Sequence, residues 1–423
     1  MKGNNHHIKI NYDSCIGCTR CMRVCPTEAL RIKKQKVYFI EERCIHCGHC
    51  VDTCHLHGFK VQDDVSLHID DEKYNVLILP NGIFGTFSNI RDYLQLRDRL
   101  IEKGFDEVVD LSIYSELLAE KIEAFIKREY NYPYIYTNCP TVIRLIQLRY
   151  PSLIKHIIPF ECVFEIAAKI TRKIITENKN IQDDALNIIY LTECLSNLFS
   201  IKQPITKEHS EIDQVLLLTN FLKEFTSSKH QSLKSNQTFN LSKKGILLAK
   251  NSGLKNLTMI DDYISVDGID HVDRILKKAE IDQLSNIKLI EAYSCRGGCI
   301  GGSYCIEDVF IGKSKLNHLV NEIDESYQET DQYKQIASYF KDESIEFEKN
   351  IHSKNISLLD QDFISSLKKL QRVNELVNKL PQIDCSACGS PSCRALAEDI
   401  VRGEKKITDC IVLNTKRREE NER

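Results

Sequence analysis

Eighteen cysteines in a chain of 423 residues, most of them at short fixed spacings, are the side chains best placed to do chemistry. The thiolate form of cysteine is a ligand for soft metal centres. The densest stretch reads Cys295-Arg296-Gly297-Gly298-Cys299-Ile300-Gly301-Gly302, two thiols with a glycine pair on either side of the second. Glycine lets backbone press against a bulky neighbour and reach positive φ. A turn alone needs no pair of thiols, and a pair of thiols alone needs no run of glycines. The stretch reads as a ligand loop closing on an inorganic group; the alternative is a glycine-rich turn with two buried thiols.

Two further sets carry a more regular signature. The first is Cys15-x2-Cys18-x2-Cys21-x3-Cys25-Pro26 followed by Cys44-x2-Cys47-x2-Cys50-x3-Cys54. This tandem repeat resembles the bacterial two-cluster ferredoxin motif, in which the fourth cysteine of each run ligates the other cluster. The resemblance implies one 4Fe–4S cluster on Cys15, Cys18, Cys21 and Cys54, and another on Cys44, Cys47, Cys50 and Cys25. Cys54 is followed by His55 where that family usually has proline. The nearby His46, His49, His55 and His57 read as surface histidines that could also tune a potential. The second set is Cys385-x2-Cys388-x4-Cys393-x16-Cys410. Its spacing resembles the small 4Fe–4S domain of corrinoid iron–sulfur proteins and electron-bifurcating complexes.

The elements that must position these thiols follow from the pattern around them. Hydrophobic residues make up 42% of the chain and charged residues 28%, with a formal net charge of -3, so composition points away from nucleic acid and anionic membranes as partners. No run approaches the roughly 18 apolar residues of a membrane span. Residues 1–12 have no apolar signal-peptide core, so the many thiols imply metal ligation in a reducing cytoplasm, as in an anaerobe. After Asp71, strand and helix alternate. Strands are expected at 74–80, 108–110, 132–137, 187–191, 245–249 and 287–291, with helices at 90–103, 113–128, 141–150, 162–176 and 267–278. Such alternation argues an α/β layered domain with ligands at the carboxyl ends of its strands. Cys139, Cys194 and Cys295 all follow strands, so a single sheet edge could gather them with Cys299. Residues 195–245 are harder to read, and 227–241 form a polar surface loop.

These four thiols resemble the ligand set of the iron-only (FeFe) hydrogenase large-subunit family. Its three signature loops appear here as Thr137-Asn138-Cys139-Pro140, Glu193-Cys194-Leu195-Ser196-Asn197, and Glu291-Ala292-Tyr293-Ser294-Cys295-Arg296-Gly297-Gly298-Cys299. The resemblance implies that Cys139, Cys194, Cys295 and Cys299 bind a 4Fe–4S cluster. It also implies that Cys299 bridges to a diiron subcluster with carbonyl and cyanide ligands, which would make Cys299 the catalytic residue. The glycines would let backbone approach those small ligands. Four positions depart from the family pattern, the first being Glu193 in place of the proline before the second-loop cysteine. Asn138 replaces a proton-relay thiol, Asn197 a cyanide-contacting lysine, and Tyr293 a methionine. Cys162 and Cys305 fall outside every set and read as packed thiols, Cys305 also as a neighbour of the ligands.

The expected organisation is multidomain α+β. A two-cluster ferredoxin-like domain spans 1–72 and an α/β hydrogenase-like domain 73–314. A helical linker (315–378) leads to a small helical 4Fe–4S domain (379–415) and a charged tail (416–423). Apolar residues recur at heptad-like spacing in 363–380, as Phe363, Leu367, Leu370, Val373, Leu376 and Leu380; a packed helical hairpin is favoured over a partner-binding coiled coil. The whole resembles the sensory-type group D branch of FeFe hydrogenases. It implies hydrogen-linked electron transfer of low turnover, as an oxidoreductase or a sensor. Its partners would be H2, a redox or signalling protein, and maturation proteins if the diiron site is filled. The alternative is a multi-cluster electron-transfer or scaffold protein without the diiron unit.

Overall fold

The computed structural model describes residues 8–61, 69–129, 131–226, 240–354, 359 and 362–415. The polar stretch expected as a surface loop falls outside this set except for its last two residues, as does the charged tail. The chain divides into two compact units, Met1–Gln62 with Lys354–Arg423, and Asp63–Ser353. The ferredoxin-like and C-terminal cysteine segments, expected as separate domains, therefore share one unit.

In the first unit, four short strands pair as two antiparallel ribbons. β1 (Ile8–Ile10) and β4 (Phe59–Val61) form one, β2 (Leu30–Lys33) and β3 (Lys36–Phe39) the other. Helices Arg20–Arg23 and His49–Asp52 carry the third cysteine of each run, Cys21 and Cys50. At the other end of the sequence, helix Phe363–Lys379 packs on helix Cys393–Val401. Val373, Leu376 and Leu380 enter that core with Leu396, Ala397 and Cys410. The apolar repeat thus divides, because Leu367 and Leu370 remain 46% and 39% exposed.

The second unit holds β5 (Tyr74–Leu79), β6 (Glu107–Asp110), β7 (Tyr134–Tyr136), β8 (Leu186–Thr192), β9 (Gln214–Leu217), β10 (Tyr263–Asp267) and β11 (Leu289–Tyr293). All pair in parallel, but in two sheets, ordered β6-β5-β8-β9 and β10-β11-β7. The single sheet edge expected from sequence is therefore two edges, with Cys139 and Cys295 following one sheet and Cys194 the other. β8 is buried at every position, as a central parallel strand covered on both faces should be. β9 and β10 were not expected from sequence; they are short edge strands, and β10 is only half-buried.

The stretch expected as a strand at 245–249 instead forms the helix Lys243–Ile246 and a turn at Leu247–Ala249. Ser242 caps it by accepting the Gly245 N–H at 2.8 Å. Of the expected linker, helices Val309–Glu322 and Asp331–Asp342 belong to this second unit, and Ile336 and Phe340 of the latter are buried. Among the described residues, no helix is long and apolar enough to cross a membrane.

Candidate metal centres

In the first unit, Cys15, Cys18, Cys21 and Cys54 line one cavity with an empty volume of about 380 Å3, together with Ile32 and Gly58. Cys25, Cys44, Cys47 and Cys50 line a second, of about 330 Å3. The two runs thus exchange their fourth cysteines in space. The exchanged thiols sit in matching turns: Ala29 donates its N–H to Cys25 Sγ and Gly58 donates its N–H to Cys54 Sγ, both at 3.2 Å. Burial, then neighbouring thiols, raises the Cys21 and Cys50 thiols above their usual range. That cost falls on anionic sulfur without a cation, and a coordinating metal removes it because a bound thiol is deprotonated outright. Among the described residues no three His, Cys, Asp or Glu side chains converge to hold a metal ion. Thiols grouped around these cavities leave room for a cluster rather than a single atom. His46 lines the second cavity, His49 is half-buried, and His55 and His57 are exposed.

In the second unit the other three central thiols are grouped around Cys299. Cys299 feels Cys194, Cys139 and Cys295, and the Cys194 thiol is raised by burial first and by Cys139 next. Two of the loops are built alike. Thr137 Oγ1 accepts the Cys139 N–H at 3.1 Å, and Thr192 Oγ1 accepts the Cys194 N–H at 3.0 Å. Each cysteine then caps the N-terminus of a helix, Pro140–Arg149 or Leu195–Lys202. Backbone N–H groups of Asn197 and Ser196 reach Cys194, favouring its anionic form at the positive end of the helix dipole. This Thr-x-Cys pair is a positioning device that sequence reasoning missed, although both loops display it.

The third loop is anchored from within the core. Ile300 is 2% exposed and sits among Leu316, Phe84 and their neighbours. Its glycines pack against the chain itself: a Cβ on Gly298 would meet Asn251 N at 2.7 Å, and one on Gly302 would meet Glu193 O at 2.6 Å. At these two positions the chain's own backbone already requires glycine.

Three of the four departures, Asn138, Asn197 and Tyr293, are likewise engaged by protein. Asn138 Oδ1 accepts the Val163 N–H at 2.9 Å and so holds the start of helix Val163–Lys179. Asn197 hydrogen-bonds the buried Tyr190. Tyr293 donates to Glu291 Oε1 at 2.9 Å. Restoring a thiol by Asn138→Cys would therefore remove a helix cap, at about 1 kcal/mol, as well as adding a proton carrier. Cys305 donates to the Cys299 carbonyl at 3.3 Å, and Cys162 lies buried beside Cys139 at the head of the helix that Asn138 holds.

One carboxyl in this unit gives the fold a measurable pH dependence. Glu161 is buried, its Oε1 has no hydrogen-bond partner among the described residues, and Thr206 donates to its Oε2 at 2.7 Å. Burial pushes its pKa up to about 7, with Thr206 and Lys207 opposing. The unfolded carboxyl titrates near 4.3. Between those values the folded chain holds the extra proton, so stability falls as pH rises and levels off above about 7. The loss is at most on the order of 3 kcal/mol. Glu161→Gln, neutral throughout, is expected to melt higher than the parent by on the order of 5 °C at pH 8, the gap shrinking toward pH 5. A gap independent of pH would contradict the assignment.

Comparison with known proteins follows the same division. Residues 84–256 match the family described as iron only hydrogenase large subunit, C-terminal domain. Residues 7–55 match the 4Fe-4S dicluster domain, and residues 380–412 the FeS family. A ferredoxin from Methanothermococcus thermolithotrophicus is 36% identical over 59 residues, which are 13% of this chain and 98% of that protein. Two solved structures of variants of [FeFe]-hydrogenase HydA1 from Chlamydomonas reinhardtii superpose with TM-scores of 0.50 at 12% and 11% identity. Each covers 69% of this chain, and 98% and 97% of the respective structure. At such identity the likeness is one of fold.

Proposed function

We propose that this chain, an iron–sulfur protein of FeFe-hydrogenase-like architecture with a ferredoxin-like N-terminus and a C-terminal iron–sulfur segment, moves single electrons among four 4Fe–4S sites. Two sites lie in the ferredoxin runs, one at Cys139, Cys194, Cys295 and Cys299, and one at Cys385, Cys388, Cys393 and Cys410. A 4Fe–4S cluster supplies reversible one-electron chemistry when bound. The chain's own contribution is to gather thiols, to direct backbone N–H groups at some of them, and to bury them. The donor sets fit cubane clusters: all thiol, no paired disulfide, and close enough to repel one another.

The observation that carries this reading is the engagement of Asn138, Asn197 and Tyr293. Their polar atoms face Val163, Tyr190 and Glu291, so these side chains are occupied in holding the protein together. A diiron subcluster at Cys299 fits this surrounding poorly, and no step is assigned to it. The test is an iron count with an infrared spectrum on protein made anaerobically together with hydrogenase maturation proteins. Cubane iron without carbonyl or cyanide bands is expected; those bands would overturn the reading.

A second reading, slow or sensory hydrogen-linked electron transfer, is favoured by one group. Glu193 is 3% exposed, its Oε2 has no hydrogen-bond partner among the described residues, and it lies beside Cys299 and Cys305. A buried carboxyl among the ligands is where a proton would be held. On that reading H2 reduces the protein without an added mediator, and the partner is a redox or signalling protein.

A further inference from the structure

We propose that the C-terminal cysteine site is permanently docked on the ferredoxin-like hairpin β2–β3, where it exchanges electrons with the site of Cys15, Cys18, Cys21 and Cys54 in preference to that of Cys25, Cys44, Cys47 and Cys50. This goes beyond the proposed function, which does not order the sites.

The docking face centres on an ion pair withdrawn from water. Arg31 and Asp399 are both 0% exposed, with Arg31 Nε 3.1 and 2.8 Å from the two carboxylate oxygens. Ser390 donates to Asp399 Oδ2 at 2.6 Å, and Arg31 Nη1 donates to the carbonyls of Glu28 and Leu30. Around it, Arg43 meets Glu398 at 2.6 Å, Ser392 donates to Glu28 at 2.8 Å, and Arg23 donates to the Cys385 carbonyl at 3.1 Å. A pair buried to this degree would expose two charges to an apolar cut face if it opened in place, and each would have to be rehydrated. Such a face stays closed, unlike the rim-type pairs of transient contacts.

Strand geometry sets β2 between the C-terminal segment and both cavities. Alternate side chains of β2 point to opposite faces. Arg31 meets the C-terminal segment, while Leu30 lines the second ferredoxin cavity and Ile32 the first. The discriminating contact is made by backbone. Ile32 N–H donates to the carbonyl of Gly389 at 2.9 Å, and Gly389 directly follows Cys388. Gly389 has φ +79°, and a Cβ there would meet Ile32 O at 2.3 Å, so only glycine permits this approach. From Cys388 the path runs through one peptide, one hydrogen bond and the Ile32 side chain into the first cavity. Links toward the second cavity pass through long side chains: Asp399 to Arg31 and the Leu30 carbonyl, or Glu398 to Arg43, or Ser392 to Glu28. In each exchange one electron leaves the reduced site and arrives at the oxidised one; no bond forms and no proton moves.

The test is electron paramagnetic resonance of the full-length, iron-loaded protein reduced stepwise with dithionite, with Cys410→Ala used to identify the C-terminal signal. That signal is expected to be split by a neighbouring spin in the parent and in Cys47→Ala, and to collapse to an isolated signal in Cys18→Ala. Splitting that survives Cys18→Ala, vanishes in Cys47→Ala, or is absent throughout overturns the proposal. Gly389→Val is expected to abolish the splitting with iron content unchanged; splitting retained in that variant also overturns it. Should Gly389→Val lose iron instead, the Cys18 and Cys47 variants decide alone. No arm involves hydrogen, so failure here is distinct from failure of the functional reading.

Discussion

Glu291→Ala is expected to empty the central site of iron and to lower the melting temperature of the second unit by on the order of 10 °C. Glu291 lies in β11, is 0% exposed, and accepts five hydrogen bonds. Ser252 N–H, the Ser265 hydroxyl and the Tyr263 hydroxyl donate to Oε2; Leu254 N–H and the Tyr293 hydroxyl donate to Oε1. Truncation removes this shared acceptor: Ser252 N–H keeps Ser265 Oγ at 2.8 Å and the Tyr293 hydroxyl keeps the Leu248 carbonyl at 3.3 Å, but Leu254 N–H is left without an acceptor among the described residues, at about 1–3 kcal/mol. The hydroxyls can turn elsewhere and Ser252 N–H keeps Ser265, so the stranded Leu254 N–H and the lost packing together set an expected total of about 3 kcal/mol.

The consequence reaches the thiols through backbone. Asn251, next to Ser252, donates its N–H to the Gly297 carbonyl at 3.0 Å, and its nitrogen fills the space beside Gly298. Loss of the carboxylate frees the 250–254 turn and with it the wall against which Cys295 and Cys299 are set. Glu291→Gln, which keeps one acceptor oxygen, should fall between parent and alanine variant in both iron per chain and melting temperature. Full central iron in Glu291→Ala would show that the loop is held by other means.

The thiol sets were legible because ligand spacing is a local property. Cys15 to Cys54 and Cys385 to Cys410 could be grouped without knowing where any strand lies. Cys139, Cys295 and Cys299 could also be matched, through Thr137, Pro140, Glu291 and the glycines, whereas Cys194 has only its place after a strand to recommend it. The pairing of strands was not legible. Each parallel strand is a short apolar run, and nothing in the residues of β7 or β8 says that they belong to different sheets. The neighbours of the glycines were not legible for a related reason. Glycine reports that something approaches closely, and at Gly298 and Gly302 the approaching groups are Asn251 and Glu193 of the same chain. Arg31 and Asp399 were invisible as a pair because they lie at opposite ends of the sequence, where each reads as an ordinary surface charge.

That last pair supports the second large prediction. Asp399→Ala is expected to cost about 3–5 kcal/mol in the first unit, because it strands the Arg31 guanidinium in a site without water and removes the acceptor of Ser390. The double variant Arg31→Leu with Asp399→Leu removes both charges together and keeps apolar volume. It is expected to recover most of that loss, since burying two charges cancels much of what their attraction contributes. Arg372, paired with Glu375 at 57% and 59% exposure, is the control: Arg372→Ala should leave the unfolding midpoint unchanged. The measurement is denaturant unfolding of the iron-loaded chain, followed by loss of the ferredoxin-type visible absorbance. Equal losses in single and double variants would mean that the ion pair holds the C-terminal segment by attraction itself. Recovery in the double variant would mean that shape and the Gly389–Ile32 contact hold it, with the charges selecting which surfaces meet.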